Sequence, residues 1–202
     1  MKIPLSISTT ENCSYCLNCY NDQVVRKIED GFSFYSCSNC GLKNSRRLVI
    51  DNKITWWIDT NGTYWHESIG VLIQNDLNQI LCLNRCIYPF ALALPAGHLD
   101  RNEEPLLGAQ REVREETGII DLELQLLKKF SMEGDSCARG CDDHQWSLFI
   151  GRVGENPTLE VCDEAKSLVW LSVPELLARN DVSYALSYIL KHFYKESSGQ
   201  FA

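Results

Sequence analysis

Three glutamates, Glu112, Glu115 and Glu116, stand at i, i+3 and i+4 in the run Arg111-Glu-Val-Arg-Glu-Glu-Thr-Gly118. On a helix that spacing puts all three carboxylates on one face. Clustered carboxylates repel one another unless a cation neutralises them. Mg²⁺ or Mn²⁺ suits such an all-oxygen donor set, because it retains waters and bridges to phosphate. Water on such an ion can be activated to attack phosphorus. Arg111 adjoins the cluster and can orient a carboxylate or contact phosphate. A glutamate-rich helix is ordinarily a solvated face of mixed charge, so the spacing gains weight only from a wider pattern.

The second group of reactive side chains is sulfur. Five of the ten cysteines lie in the first 40 residues, as Cys13, Cys16, Cys19, Cys37 and Cys40. A disulfide framework fits poorly, since a chain of 202 residues can bury a core and its start lacks the basic-then-apolar pattern of an export signal. Paired CxxC spacings read better as metal ligands. Cys37-Ser-Asn-Cys40-Gly41 has the form of a knuckle, while the upstream pair is Cys13/Cys16 or Cys16/Cys19. Four thiolates in tetrahedral array make a closed structural Zn²⁺ site. Free thiols in a loose tail are the plainer alternative.

With its flanks, the glutamate segment resembles the Nudix box, G-x5-E-x7-R-E-U-x-E-E-x-G-U, with U an aliphatic residue. Gly97, Glu103, Arg111, Glu112, Val113, Glu115, Glu116, Gly118 and Ile119 fill every position, a match that background composition makes negligible by chance. Leu94-Pro95-Ala96 also resembles the usual approach to the box, although Ala96 stands where glycine is common. The resemblance implies an α/β fold, a Nudix α/β/α sandwich with a mixed β-sheet, the box forming loop–helix–loop. It implies that Glu112, Glu115 and Glu116 hold Mg²⁺ with help from the Ala96 carbonyl, while Glu103 and Arg111 support the geometry. Glu164, six residues before Trp170, matches the place of an extra acidic residue in many members, as a further ligand or the general base; a surface glutamate is the alternative. Tyr15-Cys16-Leu-Asn-Cys19 is similar to the opening of zinc ribbons fused to Nudix domains, which favours Cys16, Cys19, Cys37 and Cys40 as the Zn²⁺ ligands. The array that marks NADH pyrophosphatases is absent: Ser131-Met-Glu-Gly-Asp135 stands in its place. The layout therefore points to hydrolysis of ADP-ribose or FAD with release of AMP. Nucleoside-triphosphate pyrophosphohydrolysis, NADH pyrophosphatase activity and a non-enzymatic nucleotide sensor are the competing readings.

These groups need elements to hold them. Pro105–Thr117 reads as the box helix, with Pro in its first turn and Gly118 after its end, and Leu106, Ala109 and Val113 are expected to pack on a sheet. Ser68–Gln74 and Gln79–Asn84 read as strands around an Asn75-Asp76 turn, followed by strands at Leu122–Phe130, Gln145–Val153 and Leu168–Leu171. Ser172-Val173-Pro174-Glu175 has capping-box form, and Asp181–Lys195 is amphipathic. Residues 1–43 are assigned to the ribbon (ordered from about 13), 44–65 to a connector with strand character, and 66–202 to the Nudix domain. The 131–144 segment reads as a mobile substrate loop; Cys137-x3-Cys141-x2-His144 within it has metal-ligand spacing but lacks an obvious fourth ligand except Cys162. Trp57 and His98 are candidate substrate contacts. For Trp56, Trp57 and Trp65, packing is the plainer reading.

Bulk properties set outer limits. A net charge of −8 and a pI near 5.0 argue against a general nucleic-acid binder, although metals can still admit a nucleotide substrate. No apolar run is long enough to span a bilayer. A cytoplasmic protein acting on a small nucleotide is expected, with a homodimer left open.

Overall fold

Residues 1–154, 157–195 and 200–201 are described by a computed structural model; the remainder of the assigned 66–202 segment lies outside the described residues. The chain forms β1 (Cys13–Tyr15), β2 (Val24–Glu29), β3 (Phe32–Cys37), β4 (Lys43–Asn44), β5 (Leu48–Ile50) and β6 (Trp56–Ile58). Next come β7 (Tyr64–Gln74), β8 (Ile80–Arg85), β9 (Leu92–Ala93), β10 (Ala96–His98) and α1 (Pro105–Thr117). The rest is β11 (Leu124–Glu133), β12 (Asp143–Arg152), β13 (Ala165–Leu171), α2 (Val173–Leu177), α3 (Tyr184–Phe193), β14 (Tyr194–Lys195) and β15 (Gln200–Phe201).

The main sheet is mixed. Its central order is β11-β12-β7-β8-β13, with β12 parallel to β7 and the other neighbours antiparallel, while β6 and β10 also pair with β7 and β9 with β8. Side chains on β7 alternate between the two faces. Ile69, Val71 and Ile73 join Ala109 and Val113 of α1 in one core. Leu72 joins Leu176 of α2 and Leu186, Ile189 and Leu190 of α3 in another. Helices thus cover both faces of one sheet, an α/β/α sandwich.

Helix α1 begins and ends as its terminal residues dictate. Pro sits at its start, where a missing N–H costs nothing, and Gly118 closes it at φ 75°, with its N–H donated to the Arg114 carbonyl. Leu106, expected against the sheet, is instead 42% exposed; Gly108, Ala109 and Val113 make the contact face. The Ser172–Glu175 box caps α2 in both directions.

The cysteine-rich segment has its own three-stranded sheet, β2-β3-β4. The β2–β3 turn carries Asp30 at φ 51° and Gly31 at φ 77°, the paired left-handed conformations that match hairpin twist. Residues 44–65, read as a connector with strand character, carry β5 and β6. Strand β5 pairs with β1, and Leu48, Ile50, Ile7 and Cys141 enclose Tyr64 in a third core. The segment after β11 is shorter than the loop expected at 131–144. The strands run on to Glu133 and resume at Asp143, and the intervening loop is pinned by residues 46–51. Arg46 Nε donates to the Cys137 carbonyl at 2.9 Å, Val49 N to the Arg139 carbonyl at 3.0 Å, and Arg139 pairs with Asp51 at 2.6 Å. Among the described residues no helix is long and apolar enough to cross a membrane.

Candidate active site

The box helix delivers its carboxylates to the backbone of β10. Glu116 is 6% exposed and accepts the Ala96 N–H at 2.8 Å. A side chain at position 97 would place its Cβ 2.0 Å from Glu112 Oε1, so glycine there opens the seat for that carboxylate. Arg111 holds the group together. It grips Glu103 through Nε and Nη2 at 3.0 and 2.9 Å, donates from Nη1 to Glu112 at 2.6 Å, and reaches the His98 carbonyl at 3.3 Å. Glu115 is the exposed member, 3.5 Å from Arg111.

Electrostatics follow burial. Removal from water pushes Glu116 up to about 8, despite Arg85 nearby, and also raises Glu112 against the pull of Arg111. Glu103 is held below the usual carboxylate range by its hydrogen bonds from Arg111. Buried carboxylates without full cationic compensation are unfavourable, and an all-oxygen set of this kind fits a hard divalent cation.

Glu164 faces the same cleft, reached from the loop before β13. Arg85, at the end of β8, spans the two acidic groups, 3.3 Å from Glu164 and 3.8 Å from Glu116. Nothing in the spacing of the sequence pointed to Arg85; its place follows from β8–β13 pairing, which sets Arg85 opposite Ala165. The cleft holds about 570 Å³ and is lined by Glu112, Glu115, Glu116, Glu164, Arg85 and Arg111, among others. Arg26 and Tyr35 of the cysteine-rich segment, Arg47 of the 44–65 segment and Tyr88 also line it. Arg47 lies over the Tyr35 ring at 4.2 Å.

The tryptophan candidate goes elsewhere. Trp57 stacks on Trp65 with centroids 6.0 Å apart and is not among the described residues lining this cleft; Trp56 packs edge-on against Tyr64. His98 does line the cleft, and burial pushes its imidazole down to about 4. It meets His66 and His144 rather than the glutamates, with ring centroids at 4.6 and 5.8 Å. Their fourth companion is Cys137. Cys162 is no part of that group, and Cys141 turns away, its thiol donating to the Tyr64 carbonyl at 3.1 Å.

Cys16, Cys19, Cys37 and Cys40 converge on one point. Sγ separations are 3.7 Å for Cys16–Cys40 and 3.6 Å for Cys19–Cys37, close to the roughly 3.8 Å edge of a tetrahedron with thiolate–zinc bonds. Each pair sits on the same tight turn, since Tyr20 N donates to Cys16 O and Gly41 N to Cys37 O, both at 2.9 Å. Tyr20 and Gly41 adopt φ of 53° and 72° to close those turns. Cys13 lies in β1, outside the cluster.

The comparisons with known proteins agree with this architecture. Residues 65–193, more than half of the chain, match the NUDIX domain family. An RNA pyrophosphohydrolase of Bartonella henselae is 38% identical over 68 residues, covering 30% of this chain and 39% of that protein. The chain spans well under half the length of the curated relatives it matches. Among solved structures, the Escherichia coli dihydroneopterin triphosphate pyrophosphohydrolase superposes with TM-score 0.54 at 24% identity, over 63% of this chain and 93% of that one. The NUDIX domain of Shewanella oneidensis NrtR, complexed with ADP ribose, gives 0.53 at 15% identity, over 65% and 88%. A family match over most of the sandwich, with the box on its helix and its carboxylates in one cleft, places this chain in the Nudix family.

Proposed function

We propose that the protein hydrolyses a phosphoanhydride bond in a nucleoside diphosphate joined to another group, with ADP-ribose or FAD as substrate and AMP as a product. The observation that carries this reading is the convergence of Glu112, Glu115, Glu116 and Glu164 with Arg85 and Arg111 on one cleft. Glu112, Glu115, Glu116 and Glu164, with the Ala96 carbonyl, are the groups that would hold Mg²⁺ or Mn²⁺. Such an ion, when bound, activates water and offsets charge on phosphate oxygens. Arg111 keeps Glu112 and Glu103 in place. Arg85, whose side chain is only 11% exposed, can meet a phosphate oxygen between Glu116 and Glu164. Water adds to phosphorus and the bridging P–O bond breaks; Glu164 would serve either as a further ligand of the ion or as the base that takes the water's proton.

The preference for a diphosphate with two ends rests on the rest of the cleft's lining. A cleft of this volume suits a ligand larger than a phosphate group, and Tyr35, Tyr88, Arg26 and Arg47 offer rings and cations to a second moiety. A triphosphate is the second reading, since the Bartonella relative and the E. coli neighbour are named pyrophosphohydrolases of RNA and of a pterin triphosphate. In the cysteine-rich segment, the four thiols would hold structural Zn²⁺, supplying folding energy that so small a sheet lacks.

Hydrolysis of ADP-ribose, FAD, NADH and a nucleoside triphosphate, measured side by side with Mg²⁺ and then Mn²⁺, tests the assignment. AMP release from ADP-ribose or FAD at a markedly higher kcat/KM is expected. A clear preference for NADH or the triphosphate would overturn the substrate while leaving the bond chemistry in place.

A further inference from the structure

His66, His98 and His144 come from three adjacent strands, β7, β10 and β12. His144 registers with His66, and His98 with Ser68, two residues along β7 on the same face. All three imidazoles therefore project from one side of the sheet. Cys137, on the loop between β11 and β12, closes over them, its Sγ 3.8 Å from His66 Nδ1. One donor atom from each of the four side chains lies within 4.8 Å of the other three. A tetrahedral zinc site has donor separations of about 3.3–3.8 Å, so a small inward adjustment of the rings completes the geometry.

We propose that His66, His98, Cys137 and His144 bind a second transition-metal ion of the Zn²⁺ class, separate from both the glutamate site and the four-cysteine cluster. Three imidazoles and one thiolate are borderline-to-soft donors that select zinc-like ions over Mg²⁺. The rings are unlike ordinary core histidines. His66 is fully buried and His144 is 2% exposed, and His66 Nε2 has no hydrogen-bond partner among the described residues. Buried polar nitrogens left unpaired are rare and costly. Behind His144, Asp135 Oδ2 stands 3.4 Å from Nδ1 and accepts the Trp146 indole N–H at 2.9 Å. A carboxylate behind an imidazole is how proteins orient metal-ligating histidines.

With four protein donors, this ion has no position open for substrate, which is the pattern of a structural site. Its effect is to staple the 134–142 loop to the sheet from inside, while Arg46, Val49 and Asp51 hold it from outside. The loop backbone is close enough to Arg47 that a Cβ at Gly140 would fall 2.7 Å from the Arg47 carbonyl oxygen. Asp135, Ser136, Ala138 and Arg139 of that loop line the cleft, and His98 adjoins the glycine that seats Glu112. The second ion thus sets one wall of the site that the first would occupy.

The test is metal content together with residue-by-residue thiol protection in the full chain, purified without chelator. Two tightly held zinc ions per chain are expected, falling to one in Cys137→Ser and to one in Cys40→Ser. On the wild-type chain, Cys137 is expected to resist alkylation until a strong chelator is added and to react afterwards, as read by peptide mass mapping. That second measurement does not depend on the variant folding. The proposal is overturned if Cys137 alkylates equally before and after chelation, or if all zinc is lost with Cys40→Ser. Protection of Cys37 and Cys40, scored in the same map, reports separately on the four-cysteine reading.

Discussion

Glu115 and Glu116 sit one position apart and do different jobs of exposure. Glu115 reaches solvent, with its side chain 54% exposed, whereas Glu116 is closed off beneath Arg85 and the Ala96 amide. Both belong to the charge that would hold Mg²⁺. Replacing either with Gln keeps the shape and removes that charge. Turnover should drop by more than the roughly 10–100-fold typical of a residue that only supports a ligand, while far-ultraviolet circular dichroism stays native. For Glu116 the amide oxygen can still accept the Ala96 N–H, so the fold should survive although the site is buried. Glu103→Gln, which loosens Arg111 without touching the cleft centre, should fall within that 10–100-fold range. Intact hydrolysis in both central variants would move the active site elsewhere.

Elements carry the next set of consequences. The β2–β4 sheet is small, and half-buried rather than buried along most of β3, so the four thiols must supply what its core cannot. Cys40→Ser should therefore loosen residues 13–43 while α1 and the main sheet remain folded; amide exchange before and after the substitution distinguishes local from global loss. The Asp51–Arg139 pair ties the end of β5 to the 134–142 loop. Burial alone would raise Asp51, but hydrogen bonds from Arg139 and the Lys53 amide hold it below the ordinary carboxylate range. A depressed carboxyl contributes stability that is present above its unfolded pKa, about 3.9, and is lost as pH falls through the lower folded value. Asp51→Asn should cost up to about 1 kcal/mol near neutrality, since the pair is partly solvated. The difference from wild type should shrink to nothing on acidification well below pH 3.9, as followed by denaturant midpoints across that range.

On the scale of the molecule, the cysteine-rich segment is part of the cleft rather than an appendage. Ser33 N donates to the Cys86 carbonyl at 3.2 Å, and Phe32 and Phe34 both pack on Phe90. Arg26 and Tyr35 of the same hairpin line the cleft that the glutamates line. Tyr35→Ala should then raise KM for a two-ended substrate several-fold, the scale of an aromatic contact worth about 1 kcal/mol, with little change in kcat. Steady-state kinetics on ADP-ribose read that split. An unchanged KM would mean that the second moiety is bound somewhere other than this part of the cleft.

The sequence by itself determined what depends on near neighbours along the chain. Pro105 and Gly118 bounded α1, the i, i+3, i+4 spacing aligned Glu112, Glu115 and Glu116, and Ser172 with Glu175 capped α2, because helix periodicity and terminal hydrogen bonds are local. The CxxC spacing named Cys37 and Cys40 for the same reason, though spacing alone did not choose between Cys13 and Cys19. Leu106 was misplaced because helical period gives a stripe, and only the sheet's position says which edge of that stripe is covered. Arg85, Tyr35 and the union of His66, His98, Cys137 and His144 were decided by the tertiary structure. Strand register, which follows from how the whole sheet pairs, brings Arg85 and the three histidines into place, while Cys137 comes from the loop after β11 and Tyr35 from the packing of β3 on the 86–90 segment.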